Sequence, residues 1–220
     1  MALISKDIEK AASLLQQGKL VAIPTETVYG LAADIYNEHA VQQIFAVKQR
    51  PHFNPLIVHI PNRDYLPKVA LEIPEKAWAL AEAFWPGSLT LILKKQPRIP
   101  LAITAGKDTV AVRMPQHPMA IALLEKLPFP LAAPSANPFN RISPTTAQHV
   151  ANYFGDEIGM VLDGGTCNKG IESTIVGFNG DEVLLYRFGS LAREDIEKVV
   201  GPIKVQNKTL FPKNKKLLSG

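Results

Sequence analysis

Cysteine is almost absent. The chain has one, Cys167, in 220 residues, which excludes an internal disulfide and a zinc site built from several thiolates. Cys167 sits in the glycine-rich "DGGTCNKG" and reads as an incidental loop residue. The two common phosphate-binding loops are missing as well: neither GxGxxG nor GxxxxGK[ST] occurs, so a bound nucleotide would be held by individual side chains. The five histidines (His39, His52, His59, His117, His149) lack the i, i+4 or HExxH spacing of a metal site, and no metal held by protein side chains is expected. No stretch approaches the roughly 20 apolar residues of a membrane helix. Lys6, Asp7, Glu9 and Lys10 interrupt the apolar core that a signal peptide requires. The expectation is a cytoplasmic protein with no membrane partner.

What is present is an ordinary globular composition, 46% hydrophobic and 20% charged, in a length suited to one domain. The net charge of +4 favours polyanionic partners without choosing among them. Helical patterns at "SKDIEKAASLLQQGK" (Ser5 as cap), "NEHAVQQIFAVKQR" (Asn37 as cap), "IPEKAWALAEAFWPG", "HPMAIALLEKL", "SPTTAQHVANYF" and "REDIEKVVG" alternate with strand patterns. Those strands are "LVAI", "PLIVHI", "SLTLILKK", "TVAVRM", "PLAAPSANPF", "IGMVLDGG" and a hairpin through Asn179-Gly180. The alternation predicts an α/β fold, a three-layer domain with a mixed sheet over residues 1–201, followed by a basic tail over 202–220 that is not an independent domain.

Polar groups interrupt this apolar pattern at strand ends, where open α/β sheets bind ligands. After "LVAI" come Thr25, Glu26 and Thr27, three polar residues in a row before Val28, Tyr29 and Gly30, as in a strand leading into a polar pocket. In "KQRPHFNPLIVHI", Lys48 and Arg50 could converge on one polyanion, or simply complement a helix C-terminus. In "AVRMPQHP", Arg113 needs an anion or carbonyls if its strand is internal, and only water if its strand is an edge. In "PLAAPSANPFNRISP", small residues between prolines let a backbone approach a ligand, and Ser135 and Asn137 offer hydroxyl and amide groups. "IESTIV" adds Ser173 and Thr174.

Taken in order, "PTETVYGL", "KQRP" with "NPLIVHI", "VRMPQHP", "PSAN" and "ESTIV" resemble the YrdC/Sua5 family of threonylcarbamoyl-AMP synthases, over nearly the whole chain to Gly201. The resemblance implies a twisted mixed sheet with flanking helices and a large concave positive surface. The implied synthase makes threonylcarbamoyl-adenylate and pyrophosphate from L-threonine, bicarbonate and ATP. A downstream threonylcarbamoyl transferase complex would use the adenylate to modify tRNA, and tRNA or double-stranded RNA is a further contact. Mg2+ would be carried with ATP, and no organic cofactor is expected. Residue by residue, the resemblance implies Thr27, His59, Arg113, Ala133 and Ser173 around L-threonine. It implies Arg50, Asn54, Thr109, Ser135, Ser143 and Arg187 around ATP, Lys48 and Arg50 as electrostatic stabilisers of the reaction, and Thr25 and Asn137 nearby. Gln49 departs from the family pattern, where glycine is frequent, and the chain resembles the short single-domain form. Two other readings stand beside this one: a non-enzymatic RNA-binding module, and a paralogue with carbamoyl-transfer chemistry such as the domain of hydrogenase maturation.

Overall fold

A computed structural model describes residues 3–206. Its strands are β1 (Ile4–Ser5), β2 (Val21–Ile23), β3 (Gly30–Asp34), β4 (Ile57–His59), β5 (Ala70–Leu71), β6 (Leu89–Lys95), β7 (Thr109–Arg113), β8 (Leu131–Ala132), β9 (Met160–Leu162), β10 (Thr174–Asn179), β11 (Glu182–Arg187) and β12 (Lys204–Val205). They form one 12-stranded sheet in the order β1-β9-β2-β3-β8-β4-β7-β6-β10-β11-β12, with β5 alongside β6. Pairings are parallel between β4 and β7 and between β6 and β10, and antiparallel between β2 and β3, β6 and β7, and β10 and β11. The sheet is mixed, as the alternation of elements predicts.

The helices are α1 (Ile8–Gln16), α2 (Glu38–Lys48), α3 (Glu75–Phe84), α4 (Leu101–Thr104), α5 (Pro118–Lys126), α6 (Ala147–Phe154) and α7 (Arg193–Val200). Asn37 caps α2 as expected, its side chain accepting from the Ala40 amide. At α1 the cap is Asp7, which accepts from Lys10, and Ser5 belongs instead to β1. Backbone pairing with β9 takes Ser5 out of the helix start, and Asp7 is equally fitted to the capping role.

Period-two alternation sorts the strand residues onto two faces. On one face Leu31 and Ala33, Val58, Leu91 and Leu93, Val110 and Val112, and Val176 join residues of α2, α3, α6 and α7 in the main core. On the other face Val21, Ile23, Ala32 and Leu131 pack against α1 and α5 in a second cluster. That second cluster draws its strand residues from the β1–β8 half of the sheet. The fold is therefore three-layered there, while the same face of β4, β7, β6, β10 and β11 curves round a cavity.

Past Gly201 the sheet continues. Ile203 is buried, and Lys204 and Val205 pair in parallel with Leu184 and Leu185, so part of the stretch expected as tail is an edge strand. Of the lysines expected to make that tail basic, Lys204 lies on β12, and Lys208, Lys213, Lys215 and Lys216 lie outside the described residues.

Candidate active site

The cavity has a volume of about 520 Å3 and gathers residues from every motif singled out in the sequence. Thr25 and Thr27 enter from the loop between β2 and β3, and Arg50 and Asn54 from the turn after α2. His59 and Arg113 come from paired positions on β4 and β7. Ala133 and Ser135 follow β8, Ser173 precedes β10, and Arg187 ends β11. Parallel pairing of β4 with β7 explains why His59 and Arg113, far apart in sequence, stand side by side.

Arg113 lies on an internal strand and is 4% exposed, which rules out the edge-strand alternative. Its compensating anion belongs to this chain: Nη2 donates to Glu26 Oε1 at 2.5 Å, Nη1 to Thr27 Oγ1 at 3.0 Å, and Nε to the Gly87 carbonyl at 3.1 Å. Burial of the whole Thr25, Glu26 and Thr27 run, at 2%, 6% and 0% exposure, is thereby accounted for. The Thr25 hydroxyl donates to the Val28 carbonyl at 2.6 Å, so the 2.8 Å contact between the two threonine hydroxyls has Thr27 as donor. Thr27 thus accepts from Arg113 and donates to Thr25, which leaves one acceptor lone pair on a side chain that lines the cavity.

His59 is held neutral. Burial, with the Arg113 charge adding to it, pushes its pKa down to about 3. Its Nδ1 lies 3.3 Å from the Ile57 carbonyl, and the tautomer that donates there leaves Nε2 as an acceptor. Ser173 Oγ meets Thr90 Oγ1 at 2.7 Å and accepts from Arg187 Nη2 at 3.0 Å, while Arg187 Nε donates to the Ser173 carbonyl. Burial lowers the pKa of Arg187 to about 10, with Glu172 opposing the shift. Arg50 is lowered by burial too, and its Nε has no protein partner. Both guanidiniums are held where an anion would repay their lost hydration.

Four candidate residues stand away from the cavity wall. Lys48 is 1% exposed, and its Nζ donates at 2.5 Å to the carbonyls of Ser135 and Asn137. Its own carbonyl accepts from Phe139 at 2.7 Å, so Lys48 grips the "PSAN" loop from behind instead of facing a substrate. Burial, then the neighbouring Arg50 charge, pushes its pKa down to about 7. Asn137 is also turned inward, its Nδ2 donating to Pro138 and Arg141 carbonyls and its Oδ1 buried without a partner. Ser143 reaches the cavity through Glu172, whose Oε1 accepts its hydroxyl at 2.5 Å. Thr109 shares the face of Ala111 and Arg113 but pairs with Lys94 at the far end of β7, beyond the lining residues.

The cavity also holds residues not picked out in the sequence: Lys107, Glu172, Phe53 and Tyr186. Lys107 follows two left-handed residues, Ala105 and Gly106, whose turn returns the chain to β7. "AGK" before an apolar strand was the available signal, and Glu172 stood inside "IESTIV". Gln49 has φ 51°, a left-handed backbone that explains the preference for glycine at that point. Among the described residues no cluster of three or more His, Cys, Asp and Glu could hold a metal, and no helix is long and apolar enough to cross a membrane.

The family model Sua5_yciO_yrdC, described as "Telomere recombination", matches residues 13–189. A protein of Pyrococcus abyssi (strain GE5 / Orsay) named threonylcarbamoyl-AMP synthase is 50% identical over 198 residues, covering 90% of this chain and 58% of its own length. One of the same name from Bacillus subtilis (strain 168) is 46% identical over 213 residues, covering 96% of this chain and 61% of its own. The crystal structure of P. abyssi Sua5 complexed with L-threonine has a TM-score of 0.89 to this fold at 48% identity, covering 93% of this chain and 61% of that one. The chain thus spans about three fifths of the length of these relatives. Motifs, mixed sheet and family match agree, and the chain belongs to the Sua5/YciO/YrdC family.

Proposed function

We propose that this domain is a threonylcarbamoyl-AMP synthase, a nucleotidyltransferase that joins L-threonine, bicarbonate and ATP into threonylcarbamoyl-adenylate and pyrophosphate. One observation carries the proposal: a single cavity collects a buried arginine, a neutral histidine and three buried hydroxyls beside two further guanidiniums. Arg113 suits the carboxylate of an amino acid. Thr27 and His59 present acceptors, suited to its amine and hydroxyl. Arg50 and Arg187, with Lys107 at the rim, suit a triphosphate, and Phe53 and Tyr186 offer aromatic faces to a base.

In the proposed reaction, bicarbonate loses hydroxide to give CO2, the amine of threonine attacks that carbon and loses a proton, and the products are a carbamate and water. A carbamate oxygen then forms a bond to the α-phosphorus while the bond to the β-phosphoryl oxygen breaks, releasing pyrophosphate. No side-chain nucleophile is needed, so this chain's contribution is to hold the reactants, stabilise phosphoryl charge through Arg50 and Arg187, and exclude water. Lys48 enters this account through the loop it holds. Glu172 is a carboxylate on the cavity wall, which fits an Mg2+ that arrives on the triphosphate and takes one protein oxygen at most. The ion would supply neutralisation of phosphate charge.

The adenylate would pass to a separate transferase complex acting on tRNA, which makes the cytoplasm the expected location and leaves direct RNA contact as a secondary role. An RNA-binding module has no need of a buried arginine locked to Glu26 and Thr27, and a basic surface alone would serve it. The test is pyrophosphate release by the purified protein. Release that requires both L-threonine and bicarbonate supports the proposal, and release from ATP indifferent to either rejects it.

A further inference from the structure

Glu26 lies directly behind the cavity and is not part of its wall. It is 6% exposed, and each carboxylate oxygen has a defined duty: Oε1 accepts from Arg113 Nη2 at 2.5 Å, and Oε2 accepts from the Gln116 amide at 2.9 Å. Its backbone carbonyl accepts from Lys169, and that of Thr27 from Gly170. The residue therefore ties the β2–β3 loop to the end of β7 and to the loop that delivers Glu172 and Ser173.

An arginine has five N–H donors in a planar fork. Three of those on Arg113 are engaged inside the protein, by Gly87, Thr27 and Glu26. One N–H remains on each terminal nitrogen, an arrangement that can take a carboxylate end-on. The plane of the fork is set by three contacts, of which Glu26 is the charged one. The hydroxyl chain beside it is held independently, Thr25 donating to the Val28 carbonyl and accepting from the amides of Thr27 and Val28.

We propose that Glu26 is a positioning residue that makes the cavity select the carboxylate of its amino acid, by fixing the Arg113 fork. The assignment rests on the functional reading above. It differs from simple charge compensation in the sign of its consequence. Were neutralisation the only role of Glu26, its removal would leave an unpaired buried cation that binds a carboxylate more tightly. Were orientation the role, removal would weaken carboxylate binding and spare a neutral analogue.

The experiment titrates the purified protein and its Glu26→Gln and Glu26→Asp variants with L-threonine, L-threonine amide and Mg-ATP. Glu26→Gln preserves the shape and removes the charge, and Glu26→Asp keeps the charge on a side chain one methylene shorter. Wild-type protein is expected to prefer L-threonine over the amide. In both variants L-threonine should weaken by about tenfold to a hundredfold, with the amide within about twofold and ATP binding unchanged. Unchanged ATP affinity reports an intact cavity, and Glu26→Asp decides the matter should Glu26→Gln fail to fold. Unaltered preference in a variant that binds ATP overturns the assignment, as does tighter L-threonine binding. Wild-type protein that binds ATP without any preference for the carboxylate overturns the functional reading and the assignment together.

Discussion

Thr27→Val is the most informative single change at the hydroxyl chain. Valine keeps the branched shape, so no cavity of consequence opens, and the loss is confined to one oxygen. That oxygen accepts from Arg113 Nη1 at 3.0 Å and donates to Thr25 Oγ1 at 2.8 Å. Thr25 retains its bond to the Val28 carbonyl and the amides of Thr27 and Val28 as donors, so its loss is small. The buried Arg113 N–H loses its only acceptor, which for a hydrogen bond to a charged group costs about 1.5–3 kcal/mol. At this chain length the same loss lowers Tm by about 3–12 °C. Removing the acceptor face toward the substrate should weaken L-threonine by about tenfold to a hundredfold with ATP binding unchanged. Differential scanning calorimetry and titration calorimetry on the variant check both effects. A variant as stable as wild type, with unaltered L-threonine affinity, would refute the account of Thr27 as a shared acceptor.

The remaining expectations concern Lys48, Arg50 and Cys167. The Lys48 pKa falls from 10.5 unfolded to about 7 folded, so between those values the unfolded chain binds the extra proton. Stability should therefore rise with pH from about 7 to 10, Lys48 contributing about 1.4 kcal/mol per pH unit; urea unfolding of Lys48→Met should lack that component. Arg50→Ala should weaken Mg-ATP by about tenfold or more in titration calorimetry while changing Tm by only a few degrees, because Arg50 has one protein carbonyl partner, that of Pro55. Burial raises the Cys167 thiol to about 11, so a thiol reagent at pH 8 should label the native protein far more slowly than the urea-unfolded one, and Cys167→Ala should leave pyrophosphate release unchanged.

Much of the fold was legible because its helices and longer strands carry strong periodicity. α2 with its Asn37 cap, β6, β7 and the β10–β11 hairpin fall where their patterns place them. The two-residue strands β1, β5 and β12 are too short to carry a pattern, and they exist because neighbouring strands offer them partners. Ser5 shows the consequence, since a plausible cap became a strand residue. At the site, residue types and motif order picked out the groups round the cavity, but not the direction in which each one faces. Lys48 sits two residues from Arg50, yet its long side chain runs behind the "PSAN" loop. An arginine in an apolar strand signals a missing anion, and the sequence suggested a ligand for it. Glu26, adjacent to Thr27 in the same motif, is the partner, and only the course of the β2–β3 loop brings it to Arg113.

The central claim is that this cavity makes a mixed anhydride between a threonine carbamate and AMP. It is tested most directly by incubating the purified protein with Mg-ATP, L-threonine and 13C-bicarbonate and measuring the mass of the nucleotide product. The account predicts an adenylate containing threonine and one labelled carbon, formed in equal amount with pyrophosphate. A nucleotide product of AMP or ADP alone, with no labelled carbon retained even on rapid quenching, would contradict it.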